Sequence, residues 1–437
     1  MNIMGAREAI DKLAKEYFAI GENASETAYR EAYAKMESKK DLWQWMSPAN
    51  YSSFIINTVY FAEKYDGVPR ALEVLDNLYP DYATACPYDY PNKSKIHESW
   101  ARFHVIQGDE SMAYDHLKKA AFYLFIDNYS YDGFEYFSFR GFSDYAFNDI
   151  KNNTICLAHP STFNDPMDTI LFKWNQYLID NAEDDIQRRL RLIYQKVYDH
   201  IKVRCFVRTD PLPRSTTFGT IPIVKKQRIE DVNPLMWAHY ANEHKGFCIK
   251  YKLPAEVVRT AEESSLIWTR IGNVDYRHDM LLANLERFTV FDALFAKHDV
   301  WSYENEVRLV QYDANSTENY KVISTPEGSI QSIYLGLKCS DENREKMMLV
   351  LRNRSIKLYQ MEVDPEDATG CILSGVSFPS VPQHRCKCRS VFLLGSTSLS
   401  ASEVIPHHCQ WRQHHGIYCY DKQVYCLYIQ AVLQLPA

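Results

Sequence analysis

The sequence predicts an α+β protein: an N-terminal α-helical repeat region, then a mixed α+β domain, then an irregular C-terminal tail. Apolar residues recur at helical spacing over the first 130 residues or so. From residue 134 short aromatic, strand-like runs alternate with helical segments. Beyond about residue 365 both periodicities fade. We therefore expect a helical region at 1–130, an α+β domain at 134–365 and a tail at 366–437.

The helical region shows an apolar stripe at Ala6, Ile10 and Tyr17, and Ser25 is a candidate N-cap for a second helix. A more specific pattern, from Gln107 to Ala120, resembles the inter-helix turn and second helix of a tetratricopeptide repeat. In that pattern Gly108 occupies the turn, and Ala113, Leu117 and Ala120 form the packing stripe. A weaker match to the same repeat pattern begins at Gly67 and Ala71. Degenerate repeats and a plain helical bundle both fit this region.

The middle domain is predicted to contain strands and helices in alternation. The predicted strands are Phe134–Phe139, Thr154–Ala158, Val203–Val207, Phe247–Tyr251, Val307–Tyr312 and Ser332–Leu335. The predicted helices between them are Leu171–His200 and His278–Lys297.

Residues 371–437 hold two acids, six of the 11 Cys and five of the 14 His. A zinc module would use Cys386, Cys388 and the His407-His408-Cys409 run, but structural zinc sites usually have wider paired spacings. The alternative is a segment without strong fold specification, translated out of its ancestral frame after Glu366. The loss of acids and of periodicity favours that alternative.

Charge and composition limit the function classes. A net charge of −7 and a pI near 6.1 give no basic footprint, so nucleic acid is an unlikely partner. The sequence shows no run of about 18 apolar residues and no basic-then-apolar leader, so we expect no membrane association and a cytoplasmic location. It also lacks the glycine patterns of P-loop and Rossmann nucleotide sites.

Four segments of the middle domain carry a family resemblance. They are Tyr136–Arg140, His159–Asp168, Pro234–Ile249 and Lys297–Arg308. In this order they resemble the hallmark motifs of the family catalogued as domain of unknown function 2971, over roughly 230 residues. One departure is Val207, where such proteins carry Ser after Cys-Phe. Because the resemblance implies no reaction, the residues must be interpreted from their chemistry.

The fourth segment is predicted to be a strand whose alternate side chains share a face. Trp301 would then lie on an apolar face, and Glu304, Glu306 and Arg308 on the other. Two interpretations stay open: a solvent-facing strand in which Arg308 balances the acids, or a functional Glu-x-Glu pair.

The third segment predicts a helix at Leu235–Asn242, a turn at Lys245-Gly246 and a strand. His239 and His244 are five residues apart, which does not match the four-residue spacing of a zinc protease helix. His239 and Tyr240 belong either to an aromatic core or to a cleft.

The first two segments offer candidate phosphate ligands. Arg140 ends an aromatic strand, and its guanidinium suits phosphate oxygens if it faces a cleft. Asn164-Asp165-Pro166 has the composition of a rigid turn, with a phosphate or ribose contact as the alternative.

The order of three features resembles that of ADP-ribosyltransferases. They are an early Arg, a central segment with His and an aromatic residue, and a late Glu-x-Glu strand. This resemblance implies NAD as substrate, Glu306 as stabiliser of an oxocarbenium-like transition state, Glu304 orienting the attacking group and His239 contacting ribose. The expected substrate-binding residues are Arg140, Asn164, Asp165, Tyr240, His244, Lys245, Trp301 and Arg308.

Two other function classes remain open. One is a non-catalytic binding or sensor protein that recognises a protein or peptide through its helical repeats, in a bacterial defence or toxin setting. The weaker one is a nuclease that holds Mg²⁺ through Asp165, Asp168, Glu304 and Glu306. We assign no metal-binding residues.

Overall fold

The computed structural model describes residues 3–124, 134–163, 168–209, 228–278, 290–363, 365 and 371–376. Six helices precede a mixed sheet domain, which confirms the predicted α+β class. The helices are α1 Ile3–Phe18, α2 Glu26–Glu37, α3 Pro48–Asp66, α4 Val68–Ala85, α5 Tyr90–Gln107 and α6 Glu110–Leu124. In the described part of the chain, no helix is long and apolar enough to cross a membrane.

Local signals define these helices. The Ser25 hydroxyl accepts the amide of Ala28 at 3.2 Å, which confirms the predicted cap of α2. Gly67 and Gly108 have φ of 85° and 81° at the α3–α4 and α5–α6 turns, a conformation that favours glycine. Ala71 and Ala113, which follow these turns, are fully buried. Each turn therefore combines a glycine of positive φ with a buried alanine after it.

The strands are β1 Phe134–Arg140, β2 Thr154–Ala158, β3 Ile201–Val207, β4 Phe247–Leu253, β5 Arg259–Glu262, β6 Ile267–Asn273, β7 Asp275–Arg277, β8 Ala296–His298, β9 Glu306–Asp313, β10 Tyr320–Ser324, β11 Ile330–Leu335, β12 Lys357–Val363 and β13 Cys371–Gly375. All six predicted strands are present. Among described residues, eleven strands form one sheet. Nine follow the order β13-β12-β11-β4-β1-β3-β9-β6-β5, while β2 pairs with β3 and β10 pairs with β2. Only β11–β12 in that sheet is parallel, and β7 and β8 form a separate parallel pair.

The helices of this domain are α7 Asp144–Asn152, α8 Leu171–Asp180, α9 Asp185–Tyr198, α10 Leu235–Tyr240, α11 Ala255–Val258, α12 Val290–Phe295 and α13 Asp341–Leu351. Short 3₁₀ helices lie at Lys40–Trp45, Pro160–Thr162, Ile229–Asp231 and Asp299–Glu304.

Two predicted helices are wrong in extent. The single helix predicted at Leu171–His200 is split, because Asp184 accepts the Gln187 amide at 2.7 Å and starts a new helix. The helix predicted at His278–Lys297 is replaced at its end by α12 and the strand β8, and residues 279–289 lie outside the described part.

One face of the sheet carries two hydrophobic clusters side by side. Val203 and Val310, partners across β3 and β9, pack with residues of α6, α8 and α9. Phe137 and Val207, partners across β1 and β3, pack with Trp237 of α10. Side chains alternate along a strand, so positions 306 and 308 of β9 face the same way and lie between the two clusters.

Candidate functional site

A buried cluster of charges occupies this position between the two hydrophobic clusters. It consists of Asp168, Lys297, Glu304, Glu306 and Arg308, whose side chains are between 0% and 10% exposed. Glu306 and Arg308 come from β9, Lys297 from β8 and Glu304 from the end of a 3₁₀ helix. We call these five residues the charge cluster.

Two cations connect the three carboxylates. Lys297 Nζ lies 2.6 Å from Glu304, 3.2 Å from Glu306 and 3.4 Å from Asp168. The Arg308 guanidinium donates Nε to Glu306 at 2.7 Å, Nη2 to Asp168, and Nη1 to the Leu294 carbonyl at 2.8 Å. Because each carboxylate has at least one cationic partner, this much buried charge can be accommodated in the fold.

The pKa shifts follow from this pairing. Burial opposes the ionisation of Glu306, but Arg308 and Lys297 outweigh it and lower the pKa of that carboxyl to about 2. Burial also opposes the charge on Lys297, yet Glu306 and Asp168 raise its pKa. At Glu304 burial prevails over Lys297, and the pKa is raised. Counted as ionised, the charge cluster has three negative groups and two positive ones.

The chain reaches this arrangement through a turn where a continuous strand is predicted. Residues Asp299–Glu304 form a 3₁₀ helix, and Asn305 takes a left-handed backbone with φ of 43° before β9 begins at Glu306. The predicted strand from Trp301 onward is therefore wrong. The solvent-facing interpretation is also wrong, since the turn directs Glu304 and Glu306 inward onto Lys297.

An aromatic rim borders the charge cluster. The Tyr240 hydroxyl donates to Glu304 Oε1 at 2.5 Å, and Lys297 Nζ lies 5.3 Å from the centre of the Trp301 ring. The centroid of the Tyr303 ring lies 6.1 Å from that of Trp301 and 6.3 Å from that of His239. His239 is exposed, while Tyr240, Trp301 and Tyr303 are half-buried. These four residues are the aromatic rim.

The turn after α10 is held in an unusual backbone conformation. Asn242, Glu243 and His244 have φ of 48°, 54° and 68°, the left-handed region that non-glycine residues rarely occupy. A Cβ at Gly246 would lie 2.2 Å from the Arg140 carbonyl oxygen, and one at Gly336 would lie 2.2 Å from that of His244. Close backbone packing on both sides therefore holds the turn in place.

The predicted residues of this turn have local partners. The His244 ring stacks on Trp237 at a centroid distance of 6.3 Å. Lys245 pairs with exposed Glu243 at 2.9 Å and lines a cavity of about 290 Å³ together with Lys338. His244 and Lys245 thus lie in a neighbouring turn, and neither takes part in the charge-cluster contacts described above.

Arg140 is not brought to the charge cluster. It alternates with Phe137 and Phe139 along β1, so its side chain leaves the opposite face of the sheet. There its Nη1 donates to Asp149 of α7 at 2.6 Å. The predicted ligands Asn164 and Asp165 lie outside the described residues.

Sequence reasoning missed Lys297 and Tyr276 as members of the site and considered Asp168 only as a metal ligand. Tyr276 of β7 accepts the Glu306 amide at 2.8 Å. Lys297 opens the fourth family-like segment and Asp168 closes the second. Their place in those segments was the one available signal, because their partners are distant in sequence.

Comparison with known proteins bears on this region of the chain. Residues 236–309 match the family model described as a protein of unknown function, DUF2971. The matched segment runs from α10 into β9 and contains the aromatic rim and four of the five charge-cluster residues. No curated protein and no solved structure matches the chain. The match does not extend to the N-terminal helices, whose tetratricopeptide-like character stays a prediction.

Proposed function

We propose that the protein is an NAD-consuming enzyme of the ADP-ribosyltransferase or NAD-glycohydrolase type. The observation that carries the proposal is the environment of Glu304. Its carboxylate lies 2.5 Å from the Tyr240 hydroxyl and 2.6 Å from Lys297 Nζ, at the border between aromatic rings and a cluster with one excess negative charge. A pre-organised carboxylate of this kind suits a reaction that develops positive charge.

NAD fits both halves of this environment. The nicotinamide ring carries a positive charge, which aromatic faces and a net negative cluster attract. When the glycosidic bond breaks, nicotinamide leaves with the bonding electron pair and C1′ of the ribose becomes cationic. Water or an acceptor side chain then adds to C1′ and releases its proton to solvent. A nearby carboxylate lowers the energy of the cationic stage.

Burial and pairing lead us to revise the roles that the sequence suggests for the two glutamates. Glu306 engages both Arg308 and Lys297, so we assign it to positioning these cations. Glu304 contacts the aromatic rim through Tyr240, so we assign it to stabilising the transition state. Glu304 is only 2% exposed, and the Tyr240 side chain must turn aside to admit the ribose.

The remaining rim residues bind the substrate in this proposal. Tyr303 and Trp301 offer ring faces to the nicotinamide, and exposed His239 contacts the ribose. Arg140 has no role in it, because its guanidinium is engaged by Asp149 on the other face of the sheet. We also propose that the protein is cytoplasmic and that α1–α6 bind a protein or peptide partner.

The test is nicotinamide release from NAD by the purified full chain, with and without cell lysate, followed by mass spectrometry. We expect Glu304→Gln to reduce release at least ~100-fold, the size of effect seen when one electrostatic stabiliser is removed. Glu243→Gln, an exposed acid in the adjacent turn, is the matched control and should release nicotinamide at the parent rate. Equal release by folded Glu304→Gln protein and the parent would refute the proposal.

A non-catalytic binding protein is the second candidate. It is favoured by the pairing of every carboxylate in the charge cluster with a cation, as expected of a structural network. Absence of nicotinamide release under both conditions, with retained binding of NAD or of a partner by the helices, would support it.

A further inference from the structure

The two-stranded ladder of β7 and β8 brings together three side chains that are remote in sequence. The strands are parallel, and Arg277 is the register partner of His298. Parallel strands leave a ladder at the same end, so His278 and Asp299 follow side by side. His278, His298 and Asp299 thus converge at one end of the ladder, although twenty residues separate the two histidines.

The carboxylate lies between the two imidazoles. Asp299 Oδ2 is 3.2 Å from His278 Nδ1, and Asp299 Oδ1 is 3.0 Å from His298 Nδ1. Each residue offers one ligand atom, and these three atoms lie within 4.8 Å of one another. The side chains are 89%, 41% and 40% exposed for His278, His298 and Asp299, so an ion from solvent can reach them.

The contact between His298 and Asp299 is repulsive when no cation is present. His298 Nδ1 accepts the Val300 amide at 3.2 Å, so in the neutral ring its lone pair is already used. The same nitrogen faces an Asp299 oxygen at 3.0 Å, which places two electron-rich atoms together. A cation coordinated by Asp299 draws electron density from its carboxylate and so weakens this repulsion. With Nδ1 engaged, Nε2 is the atom that His298 presents to a metal.

We propose that His278, His298 and Asp299 bind a divalent transition-metal ion of the Zn²⁺ class. Two imidazole nitrogens and a carboxylate oxygen suit Zn²⁺ and its neighbours better than Mg²⁺ or Ca²⁺, which prefer oxygen ligands. Three protein ligands leave at least one coordination position for water. The adjacent cation Arg277 is paired with Asp275 and Asp292, which limits its repulsion of the metal.

The ion would stabilise the ladder that supplies the charge cluster. Tyr276 and Lys297 are register partners one position before this end of the ladder. Tyr276 accepts the Glu306 amide, and Lys297 donates to Glu304. An ion that joins the ends of β7 and β8 therefore limits the separation of these two groups. The metal site does not depend on the proposed NAD chemistry.

The experiment is a titration of the chelator-treated full chain with Zn²⁺ by calorimetry. We expect the His278→Ala/His298→Ala double variant to bind one equivalent fewer than the parent. Asp299→Asn should weaken that equivalent by at least tenfold. The control Glu243→Gln removes an exposed carboxylate outside the ladder and should bind as the parent does. Zn²⁺ should raise the melting temperature of the parent more than that of the double variant.

Cobalt distinguishes this site from cysteine sites elsewhere in the chain. Co²⁺ bound by two histidines and a carboxylate gives visible ligand-field bands without the near-ultraviolet charge-transfer band of thiolate ligands. We expect the double variant to lose these ligand-field bands. Any charge-transfer band from thiolate ligands should remain. The same stoichiometry and affinity for Zn²⁺ in the parent and the folded double variant would overturn the proposal.

Discussion

Lys297 Nζ lies 2.6 Å from Glu304 Oε2, and the two side chains are 5% and 3% exposed. The same ammonium group is within 3.4 Å of Glu306 and Asp168. Lys297 is thus the shared counter-ion of three buried carboxylates. The stability of the charge cluster and the position of Glu304 both depend on it.

Lys297→Met should lower the free energy of unfolding by about 3–5 kcal/mol, because it leaves three buried carboxylates with Arg308 as their one cation in the cluster. Urea unfolding followed by fluorescence measures this. Lys245→Met removes the same charge from an exposed pair with Glu243 and should cost less than about 1 kcal/mol. Similar losses in both variants would contradict the structural role given to Lys297.

Tyr240→Phe should destabilise the protein by about 1.5–3 kcal/mol, the usual value of a hydrogen bond to a charged group. The Glu304 carboxylate would lose one of its two short contacts and sit less firmly beside Lys297. Equilibrium unfolding of the variant against the parent measures the change. Tyr145→Phe, at a position 83% exposed, should be neutral, and a loss of equal size there would argue against the Tyr240–Glu304 bond.

Gly336→Ala should destabilise the fold by about 1–3 kcal/mol or more, because its Cβ would lie 2.2 Å from the His244 carbonyl oxygen. The left-handed turn of residues 242–244 would have to shift. Thermal unfolding detects the loss. Gly375→Ala is the matched control, since a Cβ there meets no atom within 4 Å. Tolerance of Gly336→Ala would show that the turn is not clamped.

The helical hairpin of α5 and α6 should make stability depend on pH. His97 and His116 share a hydrogen bond of 2.9 Å between their Nδ1 atoms, and His97 also contacts Tyr79 at 3.0 Å. Burial, assisted by Lys119, lowers the pKa of His116 to about 4. Burial and His116 also lower the pKa of His97.

A histidine with a depressed pKa takes up its proton more readily in the unfolded chain. Its contribution is therefore fully present above the unfolded pKa near 6.5 and is lost as the pH falls toward about 4. We expect the unfolding free energy to fall by on the order of 1–3 kcal/mol over this range. His116→Gln should reduce that slope, whereas Met112→Leu, an exposed position of α6 without an ionisable group, should leave it unchanged. An unchanged slope in His116→Gln would disprove this assignment.

Local rules were enough to predict several helices and six of the thirteen strands in the described part of the chain. Period and capping identified the helices around Ser25 and Gly108, and the aromatic runs identified all six predicted strands. The family-like segment at Pro234–Ile249 was also correctly divided into a helix, a turn and a strand. These features depend on residues within a few positions of one another, which a single sequence displays directly.

The tertiary structure alone decided how the candidate site is assembled. Lys297 contacts Asp168 across 129 positions of sequence, and Tyr240 contacts Glu304 across 64. The left-handed Asn305 breaks the expected strand and turns both glutamates inward, and strand alternation sends Arg140 to the other face. Residue types and spacing therefore identified Glu304, Glu306 and Arg308 as candidates. Their burial and pairing came from sheet order and register, because contacts between distant strands leave no local period in the sequence.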